Sequence, residues 1–299
     1  MNKVDIIVIN FFSEEILKKC VESVISSELG DIKVTIIIVN NGSNKLNELF
    51  SMESDDVKII DLNYNAGFGK ACNIGSKHSN SDHILFLNPD TIVEKNTIRE
   101  ALIKSKEEGY HVLGCKQFND KNSVQRSSCR ELTVNRYFNK TFKLNKLFPN
   151  VFKSYNMSEW DHLSDRIVDH VIGSFYLIRR DVFEQLKGFD ERFFIYYEDL
   201  DLSKRVRDLG GKIFYYSGVS IFHEGGGVSK SFKPVRLFYS LRSLLIYSKI
   251  HFSYIDNLKM RSIILLIEPL IRFINLFFLF RFKGIKSLMI SYKLLYFKK

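Results

Sequence analysis

The stretch Val4-Asp5-Ile6-Ile7-Val8-Ile9-Asn10, with Ser13-Glu14-Glu15 after it and Val34-Thr35-Ile36-Ile37-Ile38-Val39 beyond, decides the fold class. Two runs of mostly β-branched residues read as strands buried on both faces, the pattern of a parallel sheet covered by helices. Between them Ser13 is placed to cap a helix whose first turn carries Glu14 and Glu15, acids that a helix N-terminus favours. The alternation continues outward. Val57–Leu62 reads as a third strand, Asn65–Gly75 as a glycine-rich helix start, and His83–Leu87 as a fourth strand that ends at Asn88-Pro89-Asp90. This order predicts right-handed crossovers, with ligands bound beyond the carboxyl ends of the strands. Those ends carry Asn10, Asn40, Asn41, Asp61 and Asp90, a polar row along one edge.

Residues 116–168 interrupt the rhythm with a polar, aromatic, weakly periodic stretch, read as an insertion on the acceptor side. Trp160 within it is either a sugar-stacking platform or a packing anchor. Val168–Ile178 resumes as a strand containing Gly173-Ser174, and an internal glycine marks a close backbone approach. Lys212–Tyr216 and Val219–His223 read as two short strands, and helices follow Pro234. The expected division is a catalytic α/β body over residues 1–233 and a helical extension over 234–299.

Charge separates the two parts. From Gly225 onward there are fourteen Lys/Arg and two acids, which exceeds the chain's formal charge of +10 and leaves residues 1–224 slightly acidic. A nucleic-acid enzyme would line its active domain with cations, so that class is excluded. A basic, aromatic extension instead implies an anionic membrane surface as partner. Ile263–Phe280 is apolar but interrupted by Glu268-Pro269, Arg272 and Asn275, which suits helices lying in the interface better than a span. With no leader expected before Val4, and four cysteines lacking any C-x-x-C spacing, the expectation is a reduced, cytoplasmic protein peripheral to the inner face of the membrane.

The chemistry gathers in Phe193-Phe194-Ile195-Tyr196-Tyr197-Glu198-Asp199-Leu200-Asp201. Leu202, Val206 and Leu209 recur at helical spacing before Gly210-Gly211, which sets three carboxylates at a helix start beside an aromatic wall. A carboxylate held charged there suits a general base acting on a sugar hydroxyl. The plain alternative is an N-capping Asp with Asp201 and Arg205 as an i,i+4 pair. Asp90, at a strand end, is a hard ligand suited to Mg²⁺ or Mn²⁺, or else part of a simple Asn-Pro-Asp turn. His223, before Gly225-Gly226-Gly227, can ligate a metal or donate to a diphosphate under a mobile loop. Asn65-Ala66-Gly67-Phe68-Gly69 is glycine-rich but matches neither G-x-G-x-x-G nor the P-loop.

Taken in order, Ile6–Asn10, Val39-Asn40-Asn41-Gly42-Ser43, Asn65-x-Gly67-Phe68, Leu87-Asn88-Pro89-Asp90, Gly173-Ser174 with Arg179-Arg180, Gly188–Phe194 with Glu198-Asp199-x-Asp201, and His223 with Gly227 resemble a family 2 glycosyltransferase of the bacterial rhamnosyltransferase-like branch. The likeness covers residues 4–250 apart from the insertion. It implies a GT-A fold, a nucleotide-sugar donor (dTDP-rhamnose first, a UDP-sugar next), Mg²⁺ or Mn²⁺, inversion at the anomeric carbon, and a polysaccharide or lipid-linked acceptor. By the same resemblance Asp199 is the base with Glu198 beside it, and Asp90 and His223 hold the metal. Asn10, Asn40, Asn41, Asn65, Gly67, Phe68, Asn88, Gly173 and Ser174 contact the nucleotide sugar. Asn40 departs from the family, which has Asp there; an amide oxygen still accepts a hydrogen bond but brings no charge. An inactive GT-A domain serving as a membrane-bound assembly partner would share these motifs. A sugar nucleotidyltransferase would need an early basic phosphate loop, which Phe11-Phe12-Ser13 does not offer.

Overall fold

A computed structural model describes residues 3–43, 49, 51–225 and 233–297. Strand β1 (Lys3–Asn10) pairs in parallel with β2 (Lys33–Asn40) on one side and β4 (His83–Leu87) on the other, and β3 (Val57–Asp61) extends the edge beside β2. Alternate residues of β1 serve opposite faces. Ile6 and Val8 pack with Leu17 and Val21 of α1 (Glu14–Ile25), whereas Ile7 and Ile9 pack with Ala71 and Cys72 of α2 (Phe68–Ser76).

The other half of the sheet is mixed, and here the expectation of short separate pieces gives way. Its order from β4 is β11 (Phe175–Arg179), β6 (Val112–Phe118), β12 (Ile213–His223) and β5 (Thr91–Val93). β11 runs antiparallel to both β4 and β6, while β12 runs parallel to β6. Lys116, Gln117 and Phe118 thus belong to a central strand, and the insertion starts after them. The two short strands expected over 212–223 are one strand with an irregularity between Tyr216 and Ser220. The strand expected over 168–178 breaks at Gly173: β10 (His170–Val171) leaves to pair with β8 (Ser128–Cys129), and β11 begins at Phe175.

Short strands β7 (Val124–Gln125) and β9 (Arg166–Ile167) flank the insertion, which also carries α4 (Val134–Thr141) and α5 (Leu144–Leu147). Helices α3 (Thr97–Glu108), α6 (Arg180–Gln185) and α7 (Glu198–Asp208) complete the body. Trp160 is a packing anchor: it is buried, stacks on His162 with centroids 4.1 Å apart, and carries the Arg166 guanidinium over its ring. Ser13 makes no side-chain cap. Its hydroxyl donates to Asn10 Oδ1 instead, because both groups are sealed at the strand end. The four cysteines are free and buried, and burial pushes the Cys20 thiol up to about 12, in keeping with inert thiols.

The extension comprises α8 (Lys233–His251), α9 (Tyr254–Ser262), a π-helical turn over Ile263–Ile267, α10 (Glu268–Phe278) and α11 (Phe282–Phe297). It does not hang free. Leu241, Leu244, Tyr247, Met260 and Ile264 share one apolar cluster with Phe193 and Leu200 around α7 and with Leu132 and Tyr137 of the insertion. Among the described residues no helix is long and apolar enough to cross a membrane.

Candidate active site

The motif expected to carry the base is held by strained backbone. Tyr196 and Tyr197 both adopt φ of 69°, a left-handed conformation that bulky side chains rarely take and that costs on the order of 1–3 kcal/mol each. This double bend stops the aromatic run and starts α7, so Glu198 and Asp199 lie inside the first helical turn rather than at its cap. Asp199 Oδ2 accepts from the backbone N–H of Gly173 at 2.8 Å, and Oδ1 accepts from Leu200 N at 2.8 Å. A Cβ at residue 173 would sit 3.3 Å from Asp199 Oδ2, so glycine permits this approach.

The other two carboxylates have different fates. Asp201 is fully buried, takes Arg205 Nε at 2.8 Å on one oxygen and His251 Nε2 of α8 at 2.7 Å on the other. Arg205 also donates to the carbonyls of Leu186 and Gly188, so Asp201 fastens α7 to its surroundings, as the plain reading of that pair expects. Glu198 is buried against Gly69, and its Oε2 has no hydrogen-bond partner. Burial first, and the Asp199 charge second, push its carboxyl well above the usual range, which corrects the expectation that the helix start keeps it charged.

A continuous polar path runs from this motif to the expected metal ligands. Next to Gly173, the Ser174 hydroxyl donates to Gln117 Oε1 at 2.9 Å; the same oxygen faces His223 Nδ1 at 3.1 Å; and His223 Nε2 lies 3.3 Å from Asp90 Oδ1. With Gln117 Oε1 as acceptor, Nδ1 is the nitrogen that carries the proton. Nε2 faces a carboxylate oxygen, so a proton or a cation must lie between the two atoms. A divalent ion fits that pair. Among the described residues no group of three or more His, Cys, Asp or Glu side chains converges as a metal cage. Two protein ligands suit an ion that also binds substrate phosphates. Asn88 joins the path through its backbone N–H, which donates to Ser174 O. Gly225 is described, whereas Gly226 and Gly227 of the expected loop lie outside the described residues.

The nucleotide-side residues divide between scaffold and surface. Asn10 and Asn40 have no exposed surface: Asn10 Nδ2 donates to Glu14 Oε1 and Asn40 Oδ1, and Asn40 Nδ2 donates to Asp61 Oδ1 at 2.7 Å. The charge missing at residue 40 thus stands one strand over, on Asp61. Asn41 ties down the loop, accepting from Ala66 N and donating to Asn65 Oδ1 and Gly67 O. Gly67 has φ of 85°, and a Cβ there would strike Phe194 O at 2.4 Å. Phe68 N donates to that same carbonyl, so the loop is pinned to the aromatic segment ahead of Asp199.

Three neighbours of the candidate site residues carried no signal in the sequence. Gln117 sits on an uninterrupted strand, His170 next to an ordinary Asp, and His251 fifty residues from Asp201. His170 is buried, with Nε2 3.7 Å from Asp199 Oδ2 and Nδ1 2.9 Å from Ser203 Oγ. Burial pulls its pKa down against the opposing charge of Asp199, so it stands beside that carboxylate as a neutral ring.

Residues 5–187 match the family described as Glycosyl transferase family 2, and the chain belongs to that family. Among characterised proteins it is similar to rhamnosyltransferase WbbL of Escherichia coli K12, 26% identical over 251 residues that cover 81% of this chain and 91% of WbbL. It is also similar to the low-salt glycan biosynthesis hexosyltransferase Agl10 of Haloferax volcanii, 28% identical over 69% of this chain, and spans 62% of that relative's length. Solved structures share the GT-A-like fold. The mannosyltransferase PcManGT of Pyrobaculum calidifontis, in complex with GDP-Man and Mn²⁺, matches 96% of this chain and 73% of its own at a TM-score of 0.56 and 10% identity. S. aureus TarS 1-349 matches 79% of this chain and 65% of its own at a TM-score of 0.53 and 16% identity.

Proposed function

We propose that this glycosyltransferase inverts the anomeric centre while moving rhamnose from dTDP-rhamnose, with a UDP-sugar as second choice, to a hydroxyl of a growing, lipid-linked surface polysaccharide. WbbL, named as a rhamnosyltransferase, supports the sugar, and PcManGT, solved in complex with GDP-Man and Mn²⁺, supports metal dependence. The observation that carries the reading is the unbroken path from Asp199 through Gly173-Ser174 and Gln117 to His223 and Asp90. It sets a base at one end and a pair suited to a divalent cation at the other.

In this reading Asp199 takes the proton of the acceptor hydroxyl, and the freed oxygen attacks the anomeric carbon from the side opposite the departing nucleoside diphosphate. The Gly173 amide and His170 fix the carboxylate for that transfer. Asp90 and His223 would hold Mg²⁺ or Mn²⁺, and such an ion supplies positive charge for the leaving diphosphate. Neutral Glu198 adds no second charge near the base. The basic extension keeps the enzyme peripheral on the inner membrane face, where a lipid-linked acceptor is presented. Asp199→Asn tests the assignment: nucleoside diphosphate release from the donor with acceptor present should fall by about 10²–10⁴-fold while nucleotide-sugar binding persists. Near wild-type release would remove Asp199 from the role.

A further inference from the structure

Helix α10 is built inside out. Glu268 and Asn275 face the protein: Glu268 is 5% exposed, accepts from Tyr137 Oη at 2.6 Å and from the half-exposed Arg272 Nε at 2.7 Å, and Asn275 accepts from Lys143 Nζ at 2.6 Å. Most of its apolar residues face outward, with Phe273, Ile274 and Phe277 about half exposed and Phe278 at 73%, while Leu276 packs inward on the core. The turn into α11 adds Phe280 at 80% and Phe282 at 59%. A helix solvated by water shows the reverse arrangement. The insertion carries the same signature beside it, with Phe138, Phe142, Leu147 and Phe148 exposed.

Between α4 and the α10–α11 pair lies a cavity of about 490 Å³ lined by Tyr137, Lys140, Lys143, Glu268, Arg272 and Ser287. Arg272 neutralises Glu268. Lys140 and Lys143 form no ion pair among the described residues, so the cavity keeps two uncompensated cations beside an apolar rim. The crowded surroundings of Lys140 pull its pKa down, with the Glu268 charge opposing.

We propose that the insertion helix α4 and the α10–α11 corner form one lipid-docking face, and that the cavity between them receives the phosphate of an anionic bilayer lipid. The rings enter among the acyl chains while Lys140 and Lys143 meet the headgroup. This deepens the peripheral reading above and rests on it, because it names the surface and brings in the insertion, which the charge count of the extension leaves out. Docking there would hold the first turn of α7, which shares its apolar cluster with α4 and the extension, at a fixed place relative to the membrane.

The test uses the full chain and vesicles of phosphatidylcholine, with or without phosphatidylglycerol. Wild type should co-sediment with the anionic vesicles and not the neutral ones. K140Q/K143Q should weaken that binding about thirtyfold, from the loss of two cations at the surface. F277S/F278S should abolish it, and millimolar inorganic phosphate should not displace the wild type. Wild-type binding by K140Q/K143Q at an unchanged melting temperature, binding to neutral vesicles as strong as to anionic ones, or displacement by inorganic phosphate would each overturn the proposal. Nucleoside diphosphate release, measured on the same variants with a soluble acceptor, should be unchanged. Its loss in wild type would count against the transferase reading and leave the vesicle result standing.

Discussion

Helices α7 and α10 start alike and end as opposites. Each carries an acid and an arginine four residues apart, Asp201 with Arg205 and Glu268 with Arg272, and each acid is sealed from water. In α7 the apolar residues Leu200, Leu202 and Val206 are buried with that pair. In α10 the acid is buried but its arginine is half exposed, and most of the apolar residues are left outside. An i,i+4 ion pair therefore says nothing of which way a helix faces. What surrounds it decides: α7 is enclosed by the sheet on one side and the extension on the other, whereas α10 has the body on one side only.

The sharpest way to break this comparison is to remove the two acids. Asp201 has no exposed surface, and its loss leaves the Arg205 guanidinium and the ring of His251 without their carboxylate. Asp201→Ala should cost about 3–5 kcal/mol. Glu268→Ala should cost less, about 1–3 kcal/mol for the orphaned Tyr137 hydroxyl, because the half-exposed Arg272 can turn to water. Urea melts of both variants decide. Equal losses would mean that α10 is enclosed as completely as α7.

The parallel half of the sheet was legible because each strand there is a short β-branched run that announces itself locally. Val4–Asn10, Val34–Val39 and His83–Leu87 lie within a residue or so of β1, β2 and β4. The mixed half was not, since nothing near Phe175 tells that β11 will pair antiparallel with β4, 88 to 96 residues upstream, and Lys116-Gln117 reads as the start of a polar stretch. The candidate site followed the same divide. Asp199, Asp90 and His223 stand at ends that turn chemistry marks, while Gln117, His170 and His251 matter only through partners 29 to 106 residues away. The sequence showed that the extension is basic and aromatic but not which way α10 turns, because facing is set by contacts with α4 and α11.

A smaller effect tests the polar path. Gln117→Ala removes the acceptor that fixes His223 with its proton on Nδ1, and also frees the Ser174 hydroxyl. Removing the partner of a metal-binding histidine typically costs 10–100-fold in affinity. The Mn²⁺ concentration for half-maximal nucleotide-sugar binding should rise by about that factor, alongside a stability loss of about 1–3 kcal/mol from the orphaned Ser174 hydroxyl. An unchanged Mn²⁺ requirement would detach Gln117 from the metal pair and leave it as a packing residue of β6.

The smallest effect concerns Glu198, and its sign is set by the raised pKa. A group whose folded pKa lies above its unfolded value stabilises the fold fully below the unfolded pKa, 4.5 here, and loses that contribution as pH rises toward the folded value. Glutamine keeps the shape of the neutral acid and does not titrate. Glu198→Gln should therefore melt close to wild type near pH 4 and progressively above it as pH rises through 6 to 8. Turnover should fall less than in Asp199→Asn, since the neutral acid holds no proton-accepting role. A melting difference that stays flat from pH 4 to 8 would mean that Glu198 is ionised in the folded protein. Two adjacent charged carboxylates would then begin α7, and the assignment of the base to Asp199 alone would have to be divided between them.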